Sequence, residues 1–211
     1  LGFGVTGRFN NLSLGYQAYV FNGFKSTSFD GSGGVNGALK GSNALRGGRQ
    51  KGIQSTIDSP TFSVKFDYYG LPGLRLGLSG YFGDTQAEDE VEDIDGANIG
   101  ISMIGLDARY AFQRFTARGQ YVYASLSDTE AYNDLTGKDL GSVLNGWYLE
   151  GAYNLLPLSK EQRLFAFLRY EKYDTHADTD GLLLRNDAYN RKDVTLGLSY
   201  HIAPGVVVKG D

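Results

Sequence analysis

The sequence predicts an all-β chain, an antiparallel up-and-down meander of the transmembrane β-barrel type. Three observations predict it. Ten segments alternate apolar and polar residues with period 2, the signature of strands. The connections between them alternate strictly between short and long. One parity of each strand is apolar or small and the other polar, as in a wall with lipid on one side and water on the other.

The predicted strands run over 2–10, 12–22, 60–70, 74–83, 98–112, 114–127, 145–155, 163–174, 192–203 and 206–211. The first two place Arg8 and Gln17 on the polar side. In the third, Phe62, Val64, Phe66 and Tyr68 oppose Lys65 and Asp67; in the fourth, Leu74, Leu76 and Leu78 oppose Arg75. In the fifth, Leu106, Ala108 and Tyr110 oppose Asp107 and Arg109. Ile99, Ile101 and Met103 break that parity: either a bulge near Ser102 to Gly105 restores it, or the loop-side half has left the bilayer. Later strands set Arg118, Glu150, Arg169, Glu171 and Lys209 on the polar side, against Phe115, Trp147, Leu168, Leu196 and their parity mates. Aromatic residues gather at the strand ends, Phe9, Tyr68, Phe112, Phe115 and Tyr200 towards the short turns. Phe82, Tyr123, Trp147 and Tyr170 lie towards the long loops, matching two interfacial girdles.

The short connections are Asn10-Asn11, 71–73, Gln113, 156–162 and 204–205. The long ones cover 23–59, 84–97, 128–144 and 175–191. Such alternation puts every short turn at one end of the sheet and every long loop at the other. Pro72, Pro157 and Pro204 fall in short connections, where a fixed φ helps a turn, and Pro60 opens a strand. One short surface helix is expected in Asp128–Leu140, with Asp128 as its N-cap.

Composition agrees. The 30 Gly, 15 Tyr and 12 Phe in 211 residues favour β structure. No apolar run approaches the ~20 residues of a spanning helix, and hydropathy does not register spanning strands. A net charge of −4 gives no footprint for nucleic acid, and the lack of Cys excludes disulfides and thiolate metal sites. The chain opens directly on "LGFGVTGRF" and stops on "VVVKGD" in mid-strand by pattern. The expectation is therefore an internal piece of a longer protein, a single β-barrel domain over 1–211.

The polar parity carries Arg8, Lys65, Arg75, Arg109, Arg118, Arg169 and Lys209 against Asp67, Asp107, Glu150 and Glu171, opposite in sign to the whole chain. As pore-lining residues the cations would attract anions; as a pairing network they would only satisfy one another. The 23–59 loop holds Lys40, Arg46, Arg49 and Lys51 amid many Gly and no acid between Gly31 and Ile57. The expectation is that it folds inward and narrows a pore, its Gly content allowing close approach to the wall. "DTQAEDEVEDID" is a solvated acidic face, suited to a divalent-ion bridge to lipopolysaccharide. "HADTDGLLLRND" half-matches a calcium loop, through Asp178, Asp180 and Asp187, but His176 stands where the first acid belongs, so no metal is expected. No cofactor and no enzyme activity are expected: His176 and His201 form no zinc pair, and the same-face Ser199 and His201 lack a carboxylate.

"NGWYLEGAYNLL", "RLFAFLRYEKYDTHAD" and "KDVTLGLSYHIAPGVVVKGD" resemble the C-terminal half of bacterial outer-membrane porins of the phosphate-selective O and P type. The resemblance covers the last third of the chain by sequence and the rest by pattern. It implies a sixteen-stranded barrel, usually trimeric, with inward loops and arginine ladders that conduct anions. The family's phosphate-site residues find no matched positions here. The combined expectation is an outer-membrane channel for small hydrophilic solutes with mild anion preference, phosphate among the candidates. A structural barrel subunit with a plugged lumen, part of a larger envelope complex, is the alternative.

Overall fold

Alternating residues and short turns build the expected meander. The structure, a computed structural model, describes residues 2–29, 31–32, 34–52, 55, 58–88 and 91–211. Ten strands form one antiparallel sheet in chain order: β1 (Gly2–Phe9), β2 (Leu14–Asn22), β5 (Pro60–Leu71), β6 (Leu74–Asp84), β7 (Gly100–Phe112), β8 (Phe115–Leu126), β9 (Val143–Asn154), β10 (Arg163–Asp178), β11 (Asn190–Ala203) and β12 (Val206–Gly210). β1 and β12 are the edges of this sheet. Two short strands, β3 (Thr27–Phe29) and β4 (Val35–Gly37), pair separately within the first long loop.

The short turns have local causes. Leu71 pairs with Leu74, and Gly73 takes φ 76°, the left-handed position that follows Pro72 in a type II turn. Pro204-Gly205 repeats the device with Gly205 at φ 82°. Phe112 pairs with Phe115, so Gln113 adopts φ 52° without being Gly. The long-loop helix is α1 (Thr129–Thr136), stopped by Gly137 in the left-handed conformation. Asp128 occupies its N-cap position at φ 59° and makes no side-chain cap; its carboxylate instead accepts from the Ser127 hydroxyl at 2.7 Å.

The sheet has two unlike faces. Phe3, Val5, Val20, Phe62, Phe66, Leu76, Leu78, Leu106, Leu149, Leu168, Val194, Leu196 and Leu198 share one parity, and all are exposed, Leu196 to 72%. An apolar surface running across ten strands far exceeds the few hundred Å² of a soluble monomer's largest patch. The accessible surface is 12624 Å², whereas a compact monomer of this mass has about 9,600 Å². No helix among the described residues is long and apolar enough to cross a membrane, which says nothing about strands.

The buried core is not between sheets; it lies at the loop end of the opposite, charged face. Leu39 and Leu45 from the first long loop pack with Ile99, Ile101, Leu126, Tyr132 and Leu140. This settles the parity break in β7. The strand keeps unbroken register with both neighbours, so there is no bulge at Ser102 to Gly105. Ile101 and Met103 lie on the same face as Asp107 and Arg109, and are apolar because the folded loop covers them.

Candidate functional site

The candidate site is the charged face, covered at its loop end and open at its turn end. Its cover is built first from hydrogen bonds. Lys25 and Gln86 form a parallel bridge between the first and second long loops, and Gln86 N–H donates to Phe24 O at 2.7 Å. The Gln86 side chain accepts from Asp58 N and Ser59 N at 2.6 and 3.0 Å, tying the loop's exit beside its entry. Ser26 Oγ donates to Ala97 O at 2.6 Å and accepts from Thr85 Oγ1 at 2.7 Å, leaving these buried hydroxyls satisfied. Lys25 Nζ meets Glu88 at 2.5 Å, and Phe29 N–H donates to the same carboxylate at 2.8 Å. The Lys25 ammonium and that amide hold the Glu88 carboxyl below its usual range.

From the third loop, Tyr132 inserts fully buried. Its hydroxyl accepts from Leu39 N at 2.9 Å and donates to Leu39 O at 3.0 Å. Burial pushes that hydroxyl's pKa up to about 12. His176, also buried, gathers the third and fourth loops: Nδ1 accepts from Asn186 N at 3.2 Å, and Nε2 contacts Asp139 O. Thr175 Oγ1 donates to Gly41 O at 2.5 Å, and Asp139 Oδ1 accepts from Gly41 N at 3.0 Å, so the first loop is fastened here as well. Tyr189 donates to Asp139 Oδ2 at 2.6 Å, which holds the phenol above its ordinary pKa.

The first long loop thus folds onto the charged face. Lys40, Arg46, Arg49 and Lys51 stand exposed on its surface and take no part in its core. In the acidic run, Thr85, Gln86, Ala87 and Val91 are buried while Glu92, Asp93 and Asp95 are exposed; Asp89 and Glu90 lie outside the described residues. Asp178, Asp180 and Asp187 are not brought together. Asp180 accepts from Thr129 Oγ1 at 2.6 Å, Asp178 from Thr179 N at 3.0 Å, and Asp187 sits in a separate turn. Among the described residues there is no group of three or more His, Cys, Asp or Glu that could hold a metal.

Below the cover the strands' register aligns the cations. Arg75 pairs with Arg109, Arg109 with Arg118, Arg118 with Glu150, and Glu150 with Arg169, one continuous row across five strands. Like charges directly opposite are destabilising unless countered. Arg75 is held by a two-point contact with Asp67 at 2.8 and 3.1 Å. Arg118 meets both Glu150 oxygens at 2.8 Å. Arg169 pairs with Glu171 at 2.5 Å and stacks 4.0 Å from the Tyr148 ring centroid. Lys65 meets Asp107 at 2.6 Å, and Asp107 reaches it by lying over Gly77, where a Cβ would come within 2.2 Å of the carboxylate.

Every carboxylate of the set is therefore engaged, and the cations are not. Among the described residues, Arg8 and Arg109 have no ion pair; Arg8 lies 5.9 Å from the Tyr69 ring centroid, and Arg109 stands between two other arginines. Lys209 is 3.6 Å from Asp211 and 4.7 Å from the Phe167 ring centroid. Pairing and surplus positive charge coexist, because the pairs exhaust the acids first. A hollow of about 410 Å³ opens turnward of the row, lined by Arg109, Arg118, Lys209, His201, Phe165 and Phe167 among others. Ser199 Oγ and His201 Nε2 are 3.4 Å apart in it, and among the described residues no carboxylate orients the imidazole.

Strand periodicity does not reveal the Gln86, Tyr132 and His176 anchors, which act between loops distant in sequence. Nor does it reveal the hollow, whose residues come from six strands, β7 to β12. The one available signal is the two-residue turn at Gln113-Arg114, which by itself sets Arg109 opposite Arg118.

No family model matches the chain. It is similar to an uncharacterized protein of Aquifex aeolicus (strain VF5), 28% identical over 221 residues, covering 100% of this chain and 47% of the relative. The chain spans about half the length of the curated relative it matches.

Proposed function

We propose that this chain forms part of the wall of a bacterial outer-membrane channel that passes small hydrophilic solutes by diffusion, with a mild preference for anions, phosphate among them. The observation that carries the reading is a single ten-stranded sheet whose one face is apolar and exposed, while the other carries surplus Arg and Lys. Lipid would cover the first face and an aqueous lumen the second. Seven strands of 11 to 16 residues, β5 to β11, reach or exceed the ~9–11 needed for a tilted crossing. The reading includes further strands that complete the wall, sixteen as in the porins it resembles, and a trimeric assembly. The packed loops narrow the lumen from the loop end. Exposed Glu92, Asp93 and Asp95 face lipopolysaccharide.

Full-length protein reconstituted in a planar bilayer tests this directly. Stepwise conductance is expected, with a reversal potential in a salt gradient displaced towards that of the anion. Absence of conductance sinks the channel and favours a structural barrel subunit with a plugged lumen. Cation selectivity overturns the role given to Arg8 and Arg109.

A further inference from the structure

The row immediately turnward of the arginines has short side chains on either side of Phe167. Ala111 pairs with Thr116, Thr116 with Ala152, and Ala152 with Phe167, which pairs in turn with Gly197. Small residues beside long ones leave the hollow. Its floor is also built: the Phe167 ring lies across Gly197, where a Cβ would come within 2.6 Å of it, and Lys209 Nζ covers the ring at 4.7 Å. Phe165 lies beside it, two residues along the strand, half-buried and edge-on to His201 at 5.5 Å. Phe167 is thereby closed off at 6% exposure, and the aromatic surface left open on this side is Phe165's; the other side presents Arg109 without a counter-ion, beside the Arg118–Glu150 pair.

A fully hydrated ion gains nothing from an aromatic floor, since it would surrender water there without a partner. A carboxylate carried on a flat apolar body can satisfy both sides: its oxygens take the planar guanidinium of Arg109, and its body covers the half-buried ring of Phe165. A volume of about 410 Å³ falls within the usual ~300–1,000 Å³ of a small-molecule site.

We propose that this hollow is a binding subsite for aromatic monocarboxylates, formed by Arg109 and Lys209 beside the Phe165 ring. The inference deepens the channel reading and rests on it, by naming a solute class the lumen retains. Arg109 supplies charge recognition and the Phe165 ring supplies discrimination. Inorganic phosphate is held by the arginines alone.

The test uses full-length protein in detergent micelles, titrated calorimetrically with benzoate, acetate and inorganic phosphate against micelle blanks. Current block by the same probes is recorded in bilayers. Benzoate is expected to bind about tenfold more tightly than acetate and more tightly than phosphate. Phe165→Ala lowers benzoate to the level of acetate, whereas Arg109→Gln weakens both. Should Phe165→Ala fail to assemble, Phe165→Leu, which keeps bulk without the ring, reads the same ratio. Equal affinities for benzoate and acetate, tighter phosphate binding, or a benzoate preference that survives Phe165→Ala overturns the subsite. A protein that conducts nothing yet binds benzoate in this order refutes the channel and keeps the subsite. One that conducts without the preference does the reverse.

Discussion

The two ends of the charged face use the same strands and parity for opposite purposes. At the loop end, Ile101 of β7 and Leu126 of β8 are buried under Leu39, Leu45 and Tyr132. A few residues along the same strands, Arg109 and Arg118 lie open in the arginine row. The backbone is continuous between them, so what changes is the neighbour. A strand's polarity is set by what covers it; period 2 sets only which residues share a face. The loop end has a packed core that can be destabilised, whereas the turn end has charges whose removal alters the local field more than the stability.

The comparison breaks most visibly at the loop end. Leu39→Ala removes a fully buried side chain from that core and is expected to cost about 2–5 kcal/mol of the cover's local stability. Hydrogen exchange should show this as faster exchange across 34–52, with β8 to β11 unchanged. Equal acceleration in those strands would mean that cover and wall form one cooperative unit. Tyr132→Phe is milder. It leaves Leu39 N–H and C=O without their partner and is expected to cost about 1–3 kcal/mol, read in the same experiment.

At the turn end the expected change is in selectivity. Arg109→Glu places a carboxylate between Arg75 and Arg118, reversing the local excess without touching the Arg75–Asp67 and Arg118–Glu150 pairs. The reversal potential should move towards the cation, by more at low salt than at high, because screening shortens the reach of an exposed charge. Exchange across 34–52 should stay as in the parent. Loss of cover protection in this variant would show that the two ends are not independent.

All ten strands of the large sheet are legible in the alternation, whereas the short β3 and β4 within the first long loop are not. The ten have ends displaced by a few residues. β10, for example, runs on to Asp178, where it re-pairs with Val143 after a register shift. The charged parity is legible too, since Arg8, Lys65, Arg75, Arg109, Arg118 and Arg169 share one face. The row through Arg75, Arg109 and Arg169 is not legible, because β6–β7 and its counterparts are joined by long loops that fix no register. Ile99, Ile101 and Met103 look like a fault in the pattern for a related reason. Their partners, Leu39 and Leu45, lie in a Gly-rich loop that shows no periodicity. Sequence reports the face of each residue, while the ligand hollow depends on which strands align and on where Gly197 leaves space.

The smallest effect concerns pH and again separates the two ends. Glu88 is held below its ordinary pKa of 4.5 by the Lys25 ammonium and the Phe29 amide. A depressed folded-state pKa means that this contact stabilises the cover fully above the unfolded value. It is lost as pH falls through the lower, folded one. The Glu88 side chain is 36% exposed, so solvent screening limits the contribution to roughly 0.2–1 kcal/mol. Exchange of residues 24–29 and 85–88 should therefore quicken modestly between pH 6 and pH 3, after correction for the intrinsic rate. Glu88→Gln cannot ionise. It should remove this acid-dependent increment at 24–29 and start from a slightly faster rate at pH 6. If the variant keeps the full acid response, the latch is not where the cover senses protons. The Lys25–Glu88 contact would then add nothing to the packing of Leu39, Ile99 and Tyr132 beneath it.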